Sequence, residues 1–245
     1  MDRRNLKNLV IDIGNSRIKA ATFEDFSLTN EFTCKSLEEL VTVIGQLLFD
    51  EVIISSVKME LDEIRATFPF PFTYFTTHTP LPVRNLYSSS NTLGVDRIAA
   101  VVGALSFMEN GPCLTIDMGT CITYDFMNGK NEYLGGAISP GINMRFRAMH
   151  DQTARLPLTK LTGEMVDVTG SNTVTCLKSG VYYGVRYEVE GAIAQYKNHH
   201  GELKVFICGG DANFFESLTK DYIFVIPNLI LHGLNRILRY TVNKK

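Results

Sequence analysis

The cluster Asp12-Ile13-Gly14-Asn15-Ser16-Arg17-Ile18-Lys19 follows directly on the apolar run Leu9-Val10-Ile11. A carboxylate closing a strand, then a residue without Cβ, then amide, hydroxyl and amine donors can bring backbone N–H groups up to an anion such as a phosphate. The same residues also suit an ordinary hairpin turn with a solvated Asp. A second copy favours the phosphate reading: Leu114-Thr115-Ile116-Asp117-Met118-Gly119-Thr120 repeats the pattern at an offset of 105 residues. Two such turns facing each other across a cleft can hold Mg²⁺ through its water shell by Asp12 and Asp117, with phosphates lying between the glycines.

Two further segments carry polar groups in useful places. Gly94-Val95-Asp96-Arg97 opens an apolar helix after the hydroxyl-rich Ser88-Ser89-Ser90-Asn91. A carboxylate beside a guanidinium can deprotonate a hydroxyl and hold a substrate carboxylate; equally, Asp96 can serve the helix dipole and Arg97 a solvated face. Gly209-Gly210-Asp211 after the strand Val205 to Cys208 offers bare backbone to a flat ligand such as a nucleoside, or is simply a strand-to-helix turn capped by Asp211. Other chemistries lack their motifs. The sequence contains no G-x-x-x-x-G-K-[ST], no G-x-G, no H-E-x-x-H and no G-x-S-x-G, so P-loop, Rossmann, zincin and hydrolase-elbow readings fall away.

These residues need rigid elements behind them, and the pattern supplies them. Strands are expected at Leu9 to Ile11, Arg17 to Phe23, Thr29 to Cys34 and Val52 to Ile54, with a helix capped by Ser36 running to Leu48 and a short one over Leu61 to Thr67. A small-residue helix from Val95 to Met108 stops at Asn110-Gly111-Pro112. The second half restarts with strands Leu114 to Thr120 and Ile122 to Met127, then a long helix over Asn172 to Asn198, the strand Lys204 to Cys208, and a final helix from Pro227. The repeat predicts a duplicated α/β protein, with residues 1–110 as one half and 111–245 as the other. The long helix carries apolar residues on more than one face, which burial in its own domain or a partner subunit would explain.

Composition narrows the class. The 245 residues are 45% hydrophobic with a net charge of −2, enough apolar matter for a core and no basic footprint for nucleic acid or anionic membrane. No apolar stretch reaches the roughly 18 residues of a membrane span. Five cysteines without a C-x-x-C pair point to reduced, buried thiols. The expectation is a soluble cytoplasmic protein with small-molecule ligands.

Taken in order, Asp12-x-Gly-Asn-Ser-x-x-Lys19, Tyr87, Leu93-Gly94-Val95-Asp96-Arg97, Asp117-x-Gly-Thr120, Gly135-Gly136-x-Ile138-x-Pro140-Gly141, Asn172-Thr173 with Ser179-Gly180, and Cys208-Gly209-Gly210-Asp211-Ala212 closely resemble type III pantothenate kinase. The resemblance implies two ribonuclease-H-like halves of the acetate kinase, sugar kinase, Hsp70 and actin superfamily. It implies phosphorylation of pantothenate by ATP to 4'-phosphopantothenate, the first step of coenzyme A synthesis. The family acts as a homodimer with Mg²⁺ and a monovalent cation, K⁺ or NH4⁺. Carried over by position, Asp12, Ile13, Gly14, Asn15, Ser16, Arg17, Ile18 and Lys19 make the first phosphate turn, with Thr120, Gly209 and Gly210 as further ATP contacts. Asp96 is the general base; Tyr87, Gly94, Val95, Asp96, Arg97 and Thr173 meet pantothenate. Asp117 holds the monovalent cation and Asp12 the Mg²⁺ through water. Three positions depart from the family pattern: Ser90 stands for Pro, Cys121 for Ala and Cys208 for Thr. Two alternatives fit similar residues, a superfamily kinase of another small hydroxy acid and a non-catalytic transcription accessory factor; intact Asp12, Asp96 and Asp117 weigh against the latter.

Overall fold

Leu9, Val10, Ile11 and Ile13 are no more than 2% exposed, so both faces of β1 (Lys7–Ile13) are covered and the strand takes the middle of a sheet. This is a computed structural model, which describes residues 6–244. On one side of β1 runs β2 (Ile18–Glu24), antiparallel, with Ile13 opposite Ile18; on the other runs β4 (Glu51–Ser56), parallel, with Asp12 beside Ser55. With β3 (Ser27–Cys34) and β5 (Thr73–Tyr74) the sheet order is β3-β2-β1-β4-β5. Helices α1 (Leu37–Ile44) and α2 (Leu61–Thr67) bury Leu40, Ile44 and Ile64 against it. Ser36 caps α1 as expected, accepting from the Glu39 N–H, but the helix ends at Gly45 and leaves Leu48 85% exposed.

The described residues fall into two compact units. One runs to Gly111 and takes in Met127–Gly135 and the chain from Asn228 onward; the other comprises Pro112–Phe126 and Gly136–Pro227. In the first unit β6 (Arg84–Asn85) pairs with Glu132 and Tyr133. There α3 (Val95–Ala104) lies against α6 (Leu229–Val242), and a Cβ on Gly103 or Gly233 would strike the facing helix backbone at Leu229 or Ala99. That close approach, at Ala99 and Gly103, fixes α3 against α6 along its C-terminal half. α6 starts after an Asn228 cap, two residues later than its expected start at Pro227.

The second sheet repeats the plan of the first. β7 (Cys113–Met118), β8 (Cys121–Met127), β9 (Glu132–Pro140), β10 (Lys204–Cys208) and β11 (Ile223–Val225) stand in the order β11-β10-β7-β8-β9, which is β5-β4-β1-β2-β3 over again. The sequence repeat therefore maps β1 onto β7, and the mixed α/β duplication is borne out. β9 is a strand the sequence reading did not anticipate, because its glycines read as turn formers. α4 (Ile142–Asp151) and the 28-residue α5 (Thr173–His200) cover the sheet, α5 through the i, i+4 stripe Leu177, Val181, Val185, Val189 and Ile193. No helix among the described residues is long and apolar enough to cross a membrane. All five cysteines are free; Cys34, Cys113 and Cys208 are buried, whereas Cys176, expected buried like the rest, is exposed.

Candidate active site

In the first unit, the four residues Gly14 to Arg17 join β1 to β2, and the Gly14 N–H donates to the Arg17 carbonyl at 3.1 Å. The turn is closed by Gly14 itself. Asn15, Ser16 and Arg17 are exposed at its tip, while Ile13 and Ile18 are buried at its base. Asp12 sits one residue inside, paired in register with Lys19. Its Oδ1 accepts from the Ser55 hydroxyl at 2.6 Å. Burial, with the charge of Asp96 adding to it, pushes the Asp12 carboxyl up to about 6, against the lowering pull of Ser55 and Lys19. A carboxylate so perturbed by burial and a like charge marks a functional candidate. Ser55 was not singled out from the sequence; only its place at the end of a buried strand, level with Asp12, hinted at it.

Asp96 is the second residue of α3, and its side chain folds back over the helix start. Its Oδ1 accepts from the Arg97 N–H at 2.9 Å and stands 2.5 Å from where a Gly94 Cβ would be, so Gly94 leaves the carboxylate its room. Val95 follows Gly94 as the first helical residue. Arg97 is buried, at 7% exposure, with its guanidinium 5.6 Å from the centre of the Tyr87 ring. Tyr87 in turn lies on Gly135, whose φ of +101° and missing Cβ keep clear the space that ring fills; an added Cβ would stand 2.8 Å from Tyr87 Cδ2. The fold thus brings Asp12, Lys19 and Asp96 into one electrostatic group and Tyr87 and Arg97 into one contact.

In the second unit, Asp117 ends the equivalent strand, level with Cys208 of β10 as Asp12 is with Ser55. Gly119 and Gly209 flank its carboxylate. Gly209 adopts φ +95°, and a Cβ there would run into both Asp117 Oδ1 and the Met118 carbonyl. Bare backbone at Gly119 and Gly209 therefore lies against this carboxylate. Thr120 and Gly210 are exposed beside it, and the Asp211 N–H donates to the Met118 carbonyl at 2.9 Å, binding the two turns together. Asp211 heads a short 3₁₀ segment without making a side-chain cap. Among the described residues no group of three or more His, Cys, Asp or Glu gathers in metal-binding geometry.

Thr173 belongs to none of these turns. It opens α5 behind Asn172, whose side chain caps the helix by accepting from the Thr175 N–H at 3.0 Å. With Asn172, Cys176, Leu177 and Met149 it lines a cavity of about 530 Å³; no other predicted site residue does.

Comparison with known proteins agrees with this layout. The family model for type III pantothenate kinase matches residues 8–195. A type III pantothenate kinase of Bacteroides fragilis is 42% identical over 239 residues, covering 95% of this chain and 98% of its own. One of Cytophaga hutchinsonii is 40% identical, with 96% and 100% covered. Among solved structures, a Campylobacter jejuni protein described as a Baf family transcriptional activator superposes with a TM-score of 0.64 at 24% identity, covering 96% of this chain and 99% of that one. The ADPNP-bound activator of 2-hydroxyisocaproyl-CoA dehydratase from Clostridium difficile gives 0.52 at 12%, over 98% and 95%. At these identities the two structures speak for the fold alone.

Proposed function

The chain belongs to the type III pantothenate kinase family, kinases that phosphorylate pantothenate in coenzyme A biosynthesis, and we propose that Asp96 is the base of that reaction. Phosphoryl transfer asks a protein mainly to position groups and to balance charge. Asp96 accepts the proton of the substrate's primary hydroxyl as that oxygen attacks the γ-phosphate of ATP; the Arg97 N–H, which already holds Oδ1, keeps the carboxylate oriented. Arg97 grips the substrate carboxylate with its planar fork, steadied by Tyr87. The first turn, Asp12 to Lys19, and the second, with Thr120, Gly209 and Gly210, receive the nucleotide.

The kinase works on ATP with Mg²⁺, and Asp12 fits as the group that holds the ion through water. Its carboxylate is costly to ionise where it stands, and a cation beside it would offset both the burial and the charge of Asp96. Bound there, Mg²⁺ supplies neutralisation of phosphate charge. We assign the monovalent cation, K⁺ or NH4⁺, to Asp117, whose carboxylate the bare Cα positions of Gly119 and Gly209 leave room to approach. The homodimer belongs to the same proposal: Val174 and Tyr187 on α5 are 38% and 59% exposed, apolar positions that a second copy would cover. So does a cytoplasmic setting, in which free cysteines stay reduced.

The observation that carries the reading is that the fold brings Asp96, far off in sequence, near enough to raise the Asp12 carboxyl, with Arg97 next to it set against Tyr87. A coupled assay of ADP release, run with pantothenate and a panel of other hydroxy acids, tests it. Turnover confined to pantothenate supports the assignment of Tyr87, Arg97 and Thr173; broader turnover would point to another small hydroxy acid.

A further inference from the structure

Glu188 lies in the middle of α5 and has no role assigned above, yet it collects three donors from three other elements. Tyr124 Oη of β8 donates to Oε1 at 2.8 Å, Ser139 Oγ of β9 to the same oxygen at 2.5 Å, and Arg145 Nη2 of α4 to Oε2 at 2.5 Å. Burial alone would raise this carboxyl, but hydrogen bonds from Ser139, Arg145 and Tyr124 outweigh it and hold Glu188 below the ordinary value. Its neighbours Val185 and Val189 are fully buried in the core of the second unit, so the carboxylate is anchored to a helix that packs into that core.

Arg145 carries the restraint onward. Its Nε donates to the Pro140 carbonyl at 2.8 Å, fixing the peptide just before Gly141. The Gly141 N–H in turn donates to the Thr120 carbonyl at 3.2 Å, and the bare Gly141 Cα lies so close to the turn that a Cβ would strike the Gly119 and Thr120 carbonyls. A short chain of contacts thus runs from Glu188 through Arg145, Pro140 and Gly141 to the second phosphate turn. An exposed surface ion pair has no need of a tyrosine and a serine as additional donors, and is worth little by itself; here both partners are mostly covered, at 22% and 32% exposure, where charge-assisted bonds are stronger and geometrically stricter.

We propose that Glu188 is a positioning residue for nucleotide binding, holding the Gly119-Thr120 turn at its working distance through Arg145 and the Pro140-Gly141 peptide. This rests on the reading that the turn contacts ATP. Misplacement of a site by about 1 Å through a remote change can cost on the order of 10²-fold.

Three variants of the full chain test this by steady-state kinetics and by ADP affinity from calorimetry. Thr120→Val reports on the turn itself. Glu188→Gln keeps the shape and an acceptor for Tyr124 and Ser139 but removes the charge that holds Arg145. Arg145→Lys keeps the charge while losing the Nε donor to Pro140. The expected result is that Glu188→Gln and Arg145→Lys each raise the KM for ATP and weaken ADP by about 10- to 10²-fold, with the KM for pantothenate little changed. Glu188→Asp, one methylene shorter, should recover part of the loss. If Thr120→Val impairs ATP use while both other variants, folded by their melting curves, bind ADP as wild type does, the positioning role is overturned and the turn's assignment survives. If Thr120→Val itself leaves ATP and ADP binding unchanged, the assignment of the turn falls and the proposal with it. Equal loss for both substrates, in step with a lowered Tm, would mark Glu188 as merely structural and also overturn it.

Discussion

Asp96→Asn is the sharpest perturbation, because the amide keeps the geometry and removes only the proposed base. Asn Oδ1 can still accept from the Arg97 N–H, the 2.9 Å bond that Asp96 makes, and Gly94 still leaves it room, so α3 should start as before. General-base assistance is worth about 10²- to 10⁴-fold, which is a barrier increase of about 3 to 5 kcal/mol; kcat should fall by that factor while ADP affinity stays near wild type. The same change has a second consequence. The charge of Asp96 is one of the causes that raise Asp12 to about 6, so removing it must let Asp12 ionise at lower pH. The residual activity, followed by coupled ADP release from pH 5 to 8, should therefore show its acid limb displaced to lower pH. A ¹³C NMR titration of the Asp12 carboxyl should shift the same way. Turnover near wild type would exclude Asp96 as the base. An Asp12 titration that does not move would refute the electrostatic coupling even if turnover collapsed.

Other expectations follow from single residues. Asp12→Asn should make the protein less active and more stable: its folded value of about 6 against an ordinary 3.8 means the native state holds this proton more tightly. Stability therefore falls as pH rises from 3.8 to 6 and the whole cost, up to about 3 kcal/mol, is present above that. Melting at pH 7.5 should show a Tm raised by several degrees, and an unchanged or lowered Tm would contradict the burial argument. Arg97→Lys keeps the charge without the two-point fork, so the pantothenate KM should rise far more than that for ATP; equal effects would move Arg97 out of the substrate site. Asp117→Asn should blunt the K⁺ activation curve measured at fixed Mg²⁺, since the amide lacks the charge a hard cation prefers, and an unaltered curve would remove Asp117 from the cation site. Tyr187→Glu places a charge at an exposed position of α5; light scattering should show dissociation of the dimer, and a wild-type chain that is already monomeric would end that proposal.

Local patterning was legible because it depends on neighbours in the chain. The apolar run into Asp12, the Ser36 cap and the start of the long helix after Asn172 each express a backbone requirement met within a few residues, and the 105-residue repeat announced the duplicated sheets; the helix expected from Val95 to Met108, by contrast, ends at Ala104, ahead of the Asn110-Gly111-Pro112 stop. Where two local readings competed, the sequence was a poor guide: Gly135 and Gly136 look like turn residues but lie in β9, where Gly135 is needed to seat the Tyr87 ring and a Cβ on Gly136 would strike the Tyr124 carbonyl. Likewise the helix expected to run to Leu48 stopped at Gly45, beyond which Leu47 and Phe49 pack on the core from irregular backbone while Leu48 is left exposed.

The chain by itself determined which residues are candidates for the site, since the carboxylates and glycines stand in motifs whose order is carried by the sequence alone. What it could not determine is how these groups act on one another. Ser55 lies opposite Asp12 only because β1 and β4 pair in that register, and Asp96 reaches Asp12 electrostatically only because α3 is set down on α6 by two glycines. Glu188 gathers Tyr124, Ser139 and Arg145 from elements separated by tens of residues. Charge interactions and hydrogen bonds depend on distance through space, so the identity of each group belongs to the sequence while its pKa, its orientation and its partners belong to the tertiary structure.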